Sequence, residues 1–343
     1  MFRDNIHAFK KLGLCLADQQ WVENTFGDAF ERQYRENSWF TPEFCRYALS
    51  AIAKMLAPDA LDAYYARYKD VAPAADPRKC IAVISAGNIP LAAFHDFFCI
   101  LVSGNDYQGK LSSQDKCLLP ALAQELIRIE PNFTNRISFV EKVSDFDAII
   151  ATGSNNSARY FDYYFSKYPH ILRKNRNSVA VLNGTETEEE LRYLADDIYL
   201  YFGLGCRSVS KLFLPRNYDF VPFLQILTQE SQPIAQHHQF NNNLEYQKAV
   251  HLMNQIPYMD AGTFLLVENQ NYASPIGMVY YEYYDDINLV NQRLTEDAGQ
   301  LQCLVSNDPH IAYAEPFGSA QTPTLSDYPD GIDVFEWLLA VGC

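Results

Sequence analysis

The chain has 343 residues, of which 48% are hydrophobic and 20% are charged, a composition that excludes disordered and collagen-like proteins. Its 27 basic and 42 acidic residues give a net charge of −15, which disfavours binding to nucleic acid or to an anionic membrane surface. Its apolar runs are too short to span a bilayer, and no secretory signal is recognisable, so we expect a cytoplasmic protein.

The first part of the chain, residues 1–75, has apolar positions three and four residues apart, which predicts helices. A linker rich in proline and alanine follows at 71–78. Strand and helix patterns then alternate. Strands are predicted at 79–85, 106–111, 137–140, 148–151 and 178–182, with helices at 91–102, 116–129, 154–168 and 186–202. This alternation predicts a doubly wound, mostly parallel sheet.

The pattern changes after residue 202. A glycine-rich interruption precedes predicted strands at 208–214, 263–267, 278–284 and 301–305, with helices at 220–229 and 244–255. We interpret this part as a second α/β domain. The charge changes here too, because residues 1–211 hold 24 basic and 26 acidic residues, whereas residues 212–343 hold 3 and 16. An anionic ligand is therefore expected on the side of the first two thirds of the chain.

Polar residues follow several of the predicted strands, where open α/β sheets bind their ligands. Asn88 lies in the segment 85–90 between a strand and a helix, and its amide could stabilise an oxyanion. Lys110 and Ser112 follow the next strand and could hold a ribose or a phosphate. Gly153 and Ser154 precede a helix, a suitable place for a phosphate. Each of these segments is also compatible with an ordinary turn or surface residue.

Cys206 is the cysteine of interest among eight, because it lies in a glycine-rich turn and is followed by Arg207, which would favour the reactive thiolate. A structural cysteine is the alternative. The sequence contains no CxxC pair, and the adjacent His237 and His238 have no evident partners, so we predict reduced thiols and no metal. Glu315, at the edge of a turn, could bind ribose hydroxyls.

In this order, the motifs resemble those of the aldehyde dehydrogenase superfamily, most closely its acyl-CoA reductase (LuxC-type) branch, over about residues 80–325. The resemblance implies two doubly wound α/β domains with the active site in the cleft between them, preceded by a helical N-terminal segment. A helical lead-in and Rossmann-like cofactor-binding domain would comprise residues 1–184 and 325–343. A catalytic domain would comprise residues 185–324.

The resemblance also implies roles for single residues. Cys206 would be the nucleophile, and Asn88 would supply the amide that binds the oxyanion. The cofactor, NADH or NADPH, would contact residues from both parts of the chain: Lys110, Ser112, Gly153, Ser154, Glu315 and Phe317. The separations of 22 residues from Asn88 to Lys110 and of 52 from Ser154 to Cys206 are similar to those of the family.

One departure from the family suggests the reaction. Oxidising aldehyde dehydrogenases carry a general-base Glu just before the strand predicted at 178–182, whereas residues 172–176 here read Leu-Arg-Lys-Asn-Arg. Without that base, an acyl-enzyme thioester should resist hydrolysis and instead accept hydride. The resemblance thus implies reduction of an acyl-CoA, or another acyl thioester, to an aldehyde. Arg173, Arg176 and Arg207 are candidate contacts for the anionic substrate.

Other functions remain open at this point. The fold also serves NAD(P)-dependent aldehyde dehydrogenases and acyl-phosphate reductases, and a non-catalytic binding or scaffold protein could keep the same motifs. The sequence also leaves open a homodimer and an acyl-transferase or synthetase partner that feeds the site.

Overall fold

The computed structural model describes residues 2–71, 78–153 and 155–341, with the backbone alone for 155–159. The chain forms two compact units. The first comprises Met1–Asn175 and Pro323–Cys343, and the second comprises Arg176–Thr322. The domains predicted from the sequence divide after residues 184 and 324. The structure differs at the first boundary because the strand that follows residue 176 pairs within the sheet of the second unit.

Four helices begin the first unit, as the apolar spacing predicts. They are α1 (Phe2–Leu16), α2 (Gln19–Glu36), α3 (Pro42–Met55) and α4 (Pro58–Tyr68). Asp18 and Thr41 cap the start of α2 and α3 with their side-chain oxygens, which accept backbone N–H groups of the first turn. Gly13 allows α1 to approach the end of α3 closely, since a β-carbon there would lie 2.7 Å from that of Leu56.

A five-stranded parallel sheet forms the centre of the first unit. Its elements are β1 (Cys80–Ile84), α5 (Phe94–Val102), β2 (Asp106–Lys110), α6 (Leu118–Ile129), β3 (Ile137–Phe139), β4 (Ala148–Thr152), α7 (Asn155–Phe165) and β5 (His170–Arg173). The strand order is β3-β2-β1-β4-β5. The chain leaves β1 toward β2 and leaves β4 toward β5, so the connections diverge between β1 and β4. The predicted doubly wound sheet is confirmed here.

The core of the first unit is rich in phenylalanine. Phe9 of α1 is fully buried and makes edge-to-face contacts with Phe97, Phe98 and Phe133. The central strands β1 and β4 are buried too, which explains their continuous apolar sequences, because helices cover both faces of a doubly wound sheet.

The second unit contains a six-stranded sheet. Its elements are β6 (Asn177–Val181), α8 (Glu188–Tyr199), β7 (Val209–Pro215), α9 (Phe220–Glu230), α10 (His238–Met253), β8 (Met259–Asp260), β9 (Leu265–Glu268), β10 (Met278–Tyr284), α11 (Ile287–Glu296) and β11 (Leu301–Val305). The strand order is β11-β6-β7-β10-β9-β8, with β8 antiparallel and the others parallel. The predicted second α/β domain is confirmed.

The last helix, α12 (Val334–Val341), packs in the first unit, where Phe335 contacts the rings of Tyr64 and Tyr68. The helices α11 and α12 and the edge strand β5 were not predicted from the sequence. No helix in the described ranges is long and apolar enough to cross a membrane.

Candidate active site

The candidate nucleophile lies in a tight turn of the second unit. A short 3-10 segment after α8 places Tyr201 and Phe202 in the left-handed region, with φ values of 55° and 58°. Cys206 follows in the turn before β7 and is exposed, and it forms no disulfide bond. The Ser178 hydroxyl of β6 donates a hydrogen bond of 2.8 Å to the Cys206 carbonyl, so the neighbouring strand fixes the backbone of the turn.

Arg207 connects this turn to the segment that carries Glu315. Its Nη2 lies 2.5 Å from Glu315 Oε2 and 3.5 Å from the sulfur of the buried Cys303, and its Nε donates to the Ala320 carbonyl. The guanidinium of Arg207 thus has partners within the protein, and its role as a substrate contact stays a prediction. The same ion pair compensates the positive charge beside Cys206.

Glu315 lies beside the carboxyl end of β11. Its backbone N–H donates to the Leu304 carbonyl, and its own carbonyl accepts from the Ser306 N–H. About 29% of its side chain is exposed, so the carboxylate can reach a ligand in addition to Arg207. Phe317 is buried, and its N–H donates to Asn307 at 3.3 Å. Cofactor contacts of both residues stay predictions.

Asp197 of α8 is a functional candidate that the sequence analysis missed. Its carboxylate is fully buried, and its two oxygens accept the N–H groups of Gly318, at 2.7 Å, and Ala320, at 3.0 Å. Burial raises its pKa to about 7 against the effect of these hydrogen bonds. Asp197 therefore fixes the segment after Glu315. A signal existed, since it is an acid on the apolar side of α8, next to Leu194 and Ile198.

In the first unit, the turn after β1 carries Asn88, which is exposed. The turn ends at Leu91, whose φ of 59° is unusual for a residue with a branched side chain. The buried carboxylate of Asp115 stabilises this conformation, because its Oδ2 accepts the Leu91 N–H at 2.9 Å. Burial raises the pKa of Asp115 to about 6. Sequence reasoning missed Asp115, which lies in a polar loop without a recognisable pattern.

Lys110 and Ser112 lie at the same edge of the sheet as Asn88. Lys110 ends β2 and is exposed. The segments that carry Gly87 and Ser112 lie so close together that a β-carbon on Gly87 would be 2.2 Å from Ser112 Oγ. Only glycine therefore fits at position 87. The carboxyl edge where the connections diverge is the usual nucleotide site of such sheets. An exposed ammonium and a hydroxyl beside a glycine turn fit the ribose of a dinucleotide.

The remaining predicted phosphate contacts are less favourable. The Gly153 N–H donates to the Arg173 carbonyl at 3.2 Å, so it continues the pairing of β4 with β5 rather than being available to a phosphate. The cofactor contact of Gly153 stays a prediction. Ser154 lies outside the described residues.

Arg173 is not the accessible cation that the sequence predicts. It is buried, and its guanidinium forms two hydrogen bonds with Asp96 of α5, at 2.5 and 2.7 Å. The buried Arg–Asp pair is a packing element of the first unit, and the role of Arg173 as a substrate contact stays a prediction. Arg176 is half-buried and donates to the Leu301 carbonyl at 3.1 Å. Of the three basic residues between 173 and 176, Lys174 is the exposed one.

The candidate metal pair also has a structural role. His237 caps α10, since its Nδ1 accepts the Phe240 N–H at 3.2 Å, and its ring lies 4.4 Å from that of Phe202. Within residues 2–71, 78–153 and 155–341, the structure contains no group of three His, Cys, Asp or Glu side chains that could hold a metal ion.

A family model described as acyl-CoA reductase (LuxC) matches residues 31–273 of the chain. That match includes Asn88, Lys110 and Cys206, and it ends before Glu315. No curated protein matches the chain in sequence.

Solved structures of low sequence identity share the fold. Aldehyde dehydrogenase 21 from Physcomitrella patens, solved with succinate, has a TM-score of 0.67 and 12% identity, over 98% of this chain and 84% of that one. An indole-3-acetaldehyde dehydrogenase from P. syringae, solved with NAD+ and IAA, has a TM-score of 0.62 and 13% identity, over 91% and 74%. The pyrroline-5-carboxylate dehydrogenase of Mycobacterium tuberculosis has a TM-score of 0.59 and 14% identity, over 98% and 77%. The fold is therefore that of aldehyde dehydrogenases.

Proposed function

This chain belongs to the acyl-CoA reductase (LuxC) family and is thus an oxidoreductase that acts on acyl-CoA and aldehydes, and we propose that Cys206 is its nucleophile. The observation that carries the proposal is the exposed Cys206 in a rigid turn, directly before the Arg207–Glu315 ion pair. An exposed thiol at the end of a glycine-rich turn is accessible to an acyl carbonyl and close to the backbone N–H groups of the turn.

The proposed reaction starts with attack of the Cys206 thiolate on the carbonyl carbon of the acyl-CoA. The new C–S bond gives a tetrahedral oxyanion, whose collapse breaks the bond to the CoA sulfur and leaves the acyl group on Cys206, and the CoA thiolate leaves and takes up a proton. The oxyanion that forms in this step requires hydrogen-bond donors. We assign that role to the side-chain amide of Asn88 and to the backbone N–H of Cys206.

We further propose a nicotinamide cofactor held by Lys110, Ser112, Ser154 and Glu315, with Phe317 beside Glu315 in the chain. When bound, the reduced cofactor supplies the hydride that converts the acyl thioester on Cys206 into a hemithioacetal. Collapse of the hemithioacetal releases the aldehyde and restores the thiolate. The exposed ammonium of Lys110 suits the ribose hydroxyls of NADH and the additional phosphate of NADPH alike.

Reduction is favoured over aldehyde oxidation by the segment at 172–176. Oxidation to a free acid needs a general base that activates water against the acyl-enzyme. Here the segment carries no carboxylate, Arg173 is bound to Asp96, and Lys174 is exposed and cationic. The acyl-enzyme should therefore persist until hydride arrives.

The substrate class also indicates the reaction that must precede this one. An acyl thioester is an activated acid, so it must come from an enzyme that activates or transfers acyl groups. We therefore place the chain in the metabolism of fatty or other carboxylic acids, next to an acyl-transferase or synthetase.

The test is formation of the acyl-enzyme in the absence of cofactor. Incubation with an acyl-CoA should add one acyl group to the wild-type protein, visible by intact-protein mass spectrometry and removable with hydroxylamine. Cys206→Ala should show no such adduct and should lose aldehyde formation. Cys15→Ala is the matched control, since Cys15 is a partly exposed thiol of the first unit, and it should acylate normally. Full acylation of Cys206→Ala would exclude the proposed nucleophile.

A further inference from the structure

A loop of the first unit, residues 111–117, joins β2 to α6 and packs against the turn that carries Asn88. Because β2 pairs in parallel with β1, the loop and the turn emerge side by side at the carboxyl edge of the sheet. Asp115 and Cys117 of the loop are buried, so the loop is anchored in the interior of the unit. It is therefore placed to determine where the turn lies.

Two contacts join the loop to the turn, one on each side of Asn88 in the chain. After Asn88, the Leu91 N–H donates to Asp115 Oδ2 at 2.9 Å, and this bond holds Leu91 in the left-handed region, with a φ of 59°. Before Asn88, a β-carbon on Gly87 would lie only 2.2 Å from Ser112 Oγ. A displacement of the loop would therefore displace the turn as well.

Gln33 of α2 fixes the same loop from its other side. The side chain of Gln33 is fully buried, and its Nε2 donates to the Gln114 carbonyl at 2.7 Å. Its Oε1 accepts the N–H groups of Lys116, at 3.2 Å, and of Cys117, at 3.1 Å. Asn37, one turn later on α2, donates to the Gln114 carbonyl at 3.2 Å. Helix α2 therefore holds the backbone of the loop through both ends of one buried amide.

Gln33 is a polar residue on the apolar side of its helix. The other buried residues of α2 are Val22, Phe26, Ala29 and Phe30. Burying an amide among such residues destabilises a protein unless hydrogen bonds compensate for the lost water. The three hydrogen bonds of the Gln33 side chain all go to the backbone of the loop. Packing alone needs no amide at this position, so its contribution is to fix the loop.

We propose that Gln33 and Asp115 are positioning residues for the side-chain amide of Asn88. This inference rests on the proposed function, in which Asn88 binds the oxyanion that forms when Cys206 is acylated. Gln33 fixes the loop to α2, and Asp115 transmits that position to the turn. A donor stabilises an oxyanion best when it is in place before the charge develops, and a displacement of about 1 Å can cost a large part of the rate. The helical N-terminal segment thus contributes to the reaction through α2.

The experiment compares two reactions of Cys206 in the full-length protein without cofactor. Acylation by an acyl-CoA passes through an oxyanion, whereas alkylation by iodoacetamide is a direct displacement that forms none. Both rates are measured by rapid quenching and intact-protein mass spectrometry, and peptide mapping assigns the products to Cys206. A variant that misplaces Asn88 should slow acylation and leave alkylation unchanged, whereas a general disturbance of the protein changes both rates.

Asp115→Ala should slow acylation about ten- to hundredfold, less than the loss of an oxyanion donor itself. Asp115→Asn keeps an oxygen that can accept the Leu91 N–H and should stay within about threefold of the wild type. Gln33→Ala tests a second position and should slow acylation about three- to tenfold, since Gln33 acts through the loop. Asn5→Ala is its matched control, because the buried amide of Asn5 donates to the Leu101 carbonyl near the other end of α5. It should leave both rates unchanged.

A double variant shows whether Asp115 acts through Asn88. Asn88→Ala should slow acylation at least about a hundredfold, and adding Asp115→Ala should change the rate less than about twofold, because no amide is left to position. Multiplied effects in the double variant, or equal slowing of acylation and alkylation in Asp115→Ala, would overturn the inference. Normal acylation of Cys206 in Asp115→Ala would overturn this inference alone. Full acylation of Cys206→Ala would instead overturn the proposed nucleophile, and this inference with it.

Discussion

The two units hold their candidate functional segments with buried carboxylates, but to different degrees. In the first unit, Asp115 accepts one hydrogen bond from Leu91, at the end of the turn that carries Asn88, and its other oxygen has no partner among the described residues. In the second unit, both oxygens of Asp197 accept N–H groups of the segment after Glu315. The second segment is therefore fixed at two points and the first at one.

This difference shows that burial, rather than the number of hydrogen bonds, dominates the protonation of these groups. Burial is the largest influence on both, and it raises the pKa of Asp115 to about 6 and that of Asp197 to about 7. Asp196 adds to the effect on Asp197, whereas Arg207 opposes it. Both functional segments thus depend on carboxyl groups that change charge near neutral pH.

Removing each carboxylate should have the largest effect on the free energy of unfolding, and it tests the difference between the two units. At pH 4, where both carboxyl groups are protonated in the folded protein and their raised pKa values hardly penalise folding, Asp197→Ala leaves two backbone N–H groups without an acceptor and should lower the free energy of unfolding by about 2–5 kcal/mol, whereas Asp115→Ala leaves one and should cost about 1–3 kcal/mol. Urea unfolding followed by fluorescence measures both.

The asparagine variants are the matched controls, since each keeps one carbonyl oxygen as an acceptor. Asp115→Asn can retain the hydrogen bond to Leu91 and should cost less than about 1 kcal/mol. Asp197→Asn must lose one of its two hydrogen bonds and should remain about 1–3 kcal/mol less stable than the wild type. Equal costs for the two asparagine variants would contradict the proposed difference between the units.

The second effect is the pH dependence of stability. A carboxyl group whose pKa is higher in the folded than in the unfolded protein stabilises the fold below its unfolded value of 3.8, and this contribution is lost as pH rises through the folded value. The titration of Asp115 should therefore lower the free energy of unfolding as the pH rises from about 4 to 6. The titration of Asp197 should lower it as the pH rises from about 4 to 7.

Urea midpoints of the wild type and of each asparagine variant, measured from pH 4 to 8, isolate these contributions, because the other titrating groups are common to both proteins. The difference curve for Asp197→Asn should extend about one pH unit higher than that for Asp115→Asn. A flat difference curve for Asp197→Asn would show that its carboxyl group has an ordinary pKa.

Much of the fold could be predicted because its signals are local. Alternating strand and helix patterns identified both sheets, and the buried apolar sequence of β4 is typical of a central parallel strand. The edge strand β5 was missed because half of its four residues, His170 and Arg173, are polar or charged. The predicted boundary at residue 184 differs from the structure because β6 pairs with β7 and with β11, the latter more than 100 residues later.

The candidate site was predictable residue by residue but not as a set of contacts. Cys206 and Glu315 could be singled out from their local motifs. Their connection through Arg207 could not, because the ion pair joins residues 108 positions apart and nothing in either motif requires it. For the same reason, Arg173 was predicted as a surface cation, although Asp96, 77 positions earlier, neutralises it in the core.

The smallest expected effect concerns the Arg207–Glu315 ion pair, which lies directly after Cys206. In the part of the first unit that the structure describes, no similar ion pair lies next to Asn88 in the sequence. In Glu315→Gln, the guanidinium of Arg207 would lose its compensating charge, and the neighbouring Cys206 would favour the thiolate more strongly. Alkylation of Cys206 by iodoacetamide at pH 7 should become about two- to fivefold faster, a modest factor because the thiol is exposed to water. Glu296→Gln removes the same charge from α11 and should leave the rate unchanged. If Glu315→Gln slowed alkylation, Glu315 would be supporting the turn mechanically instead of compensating Arg207.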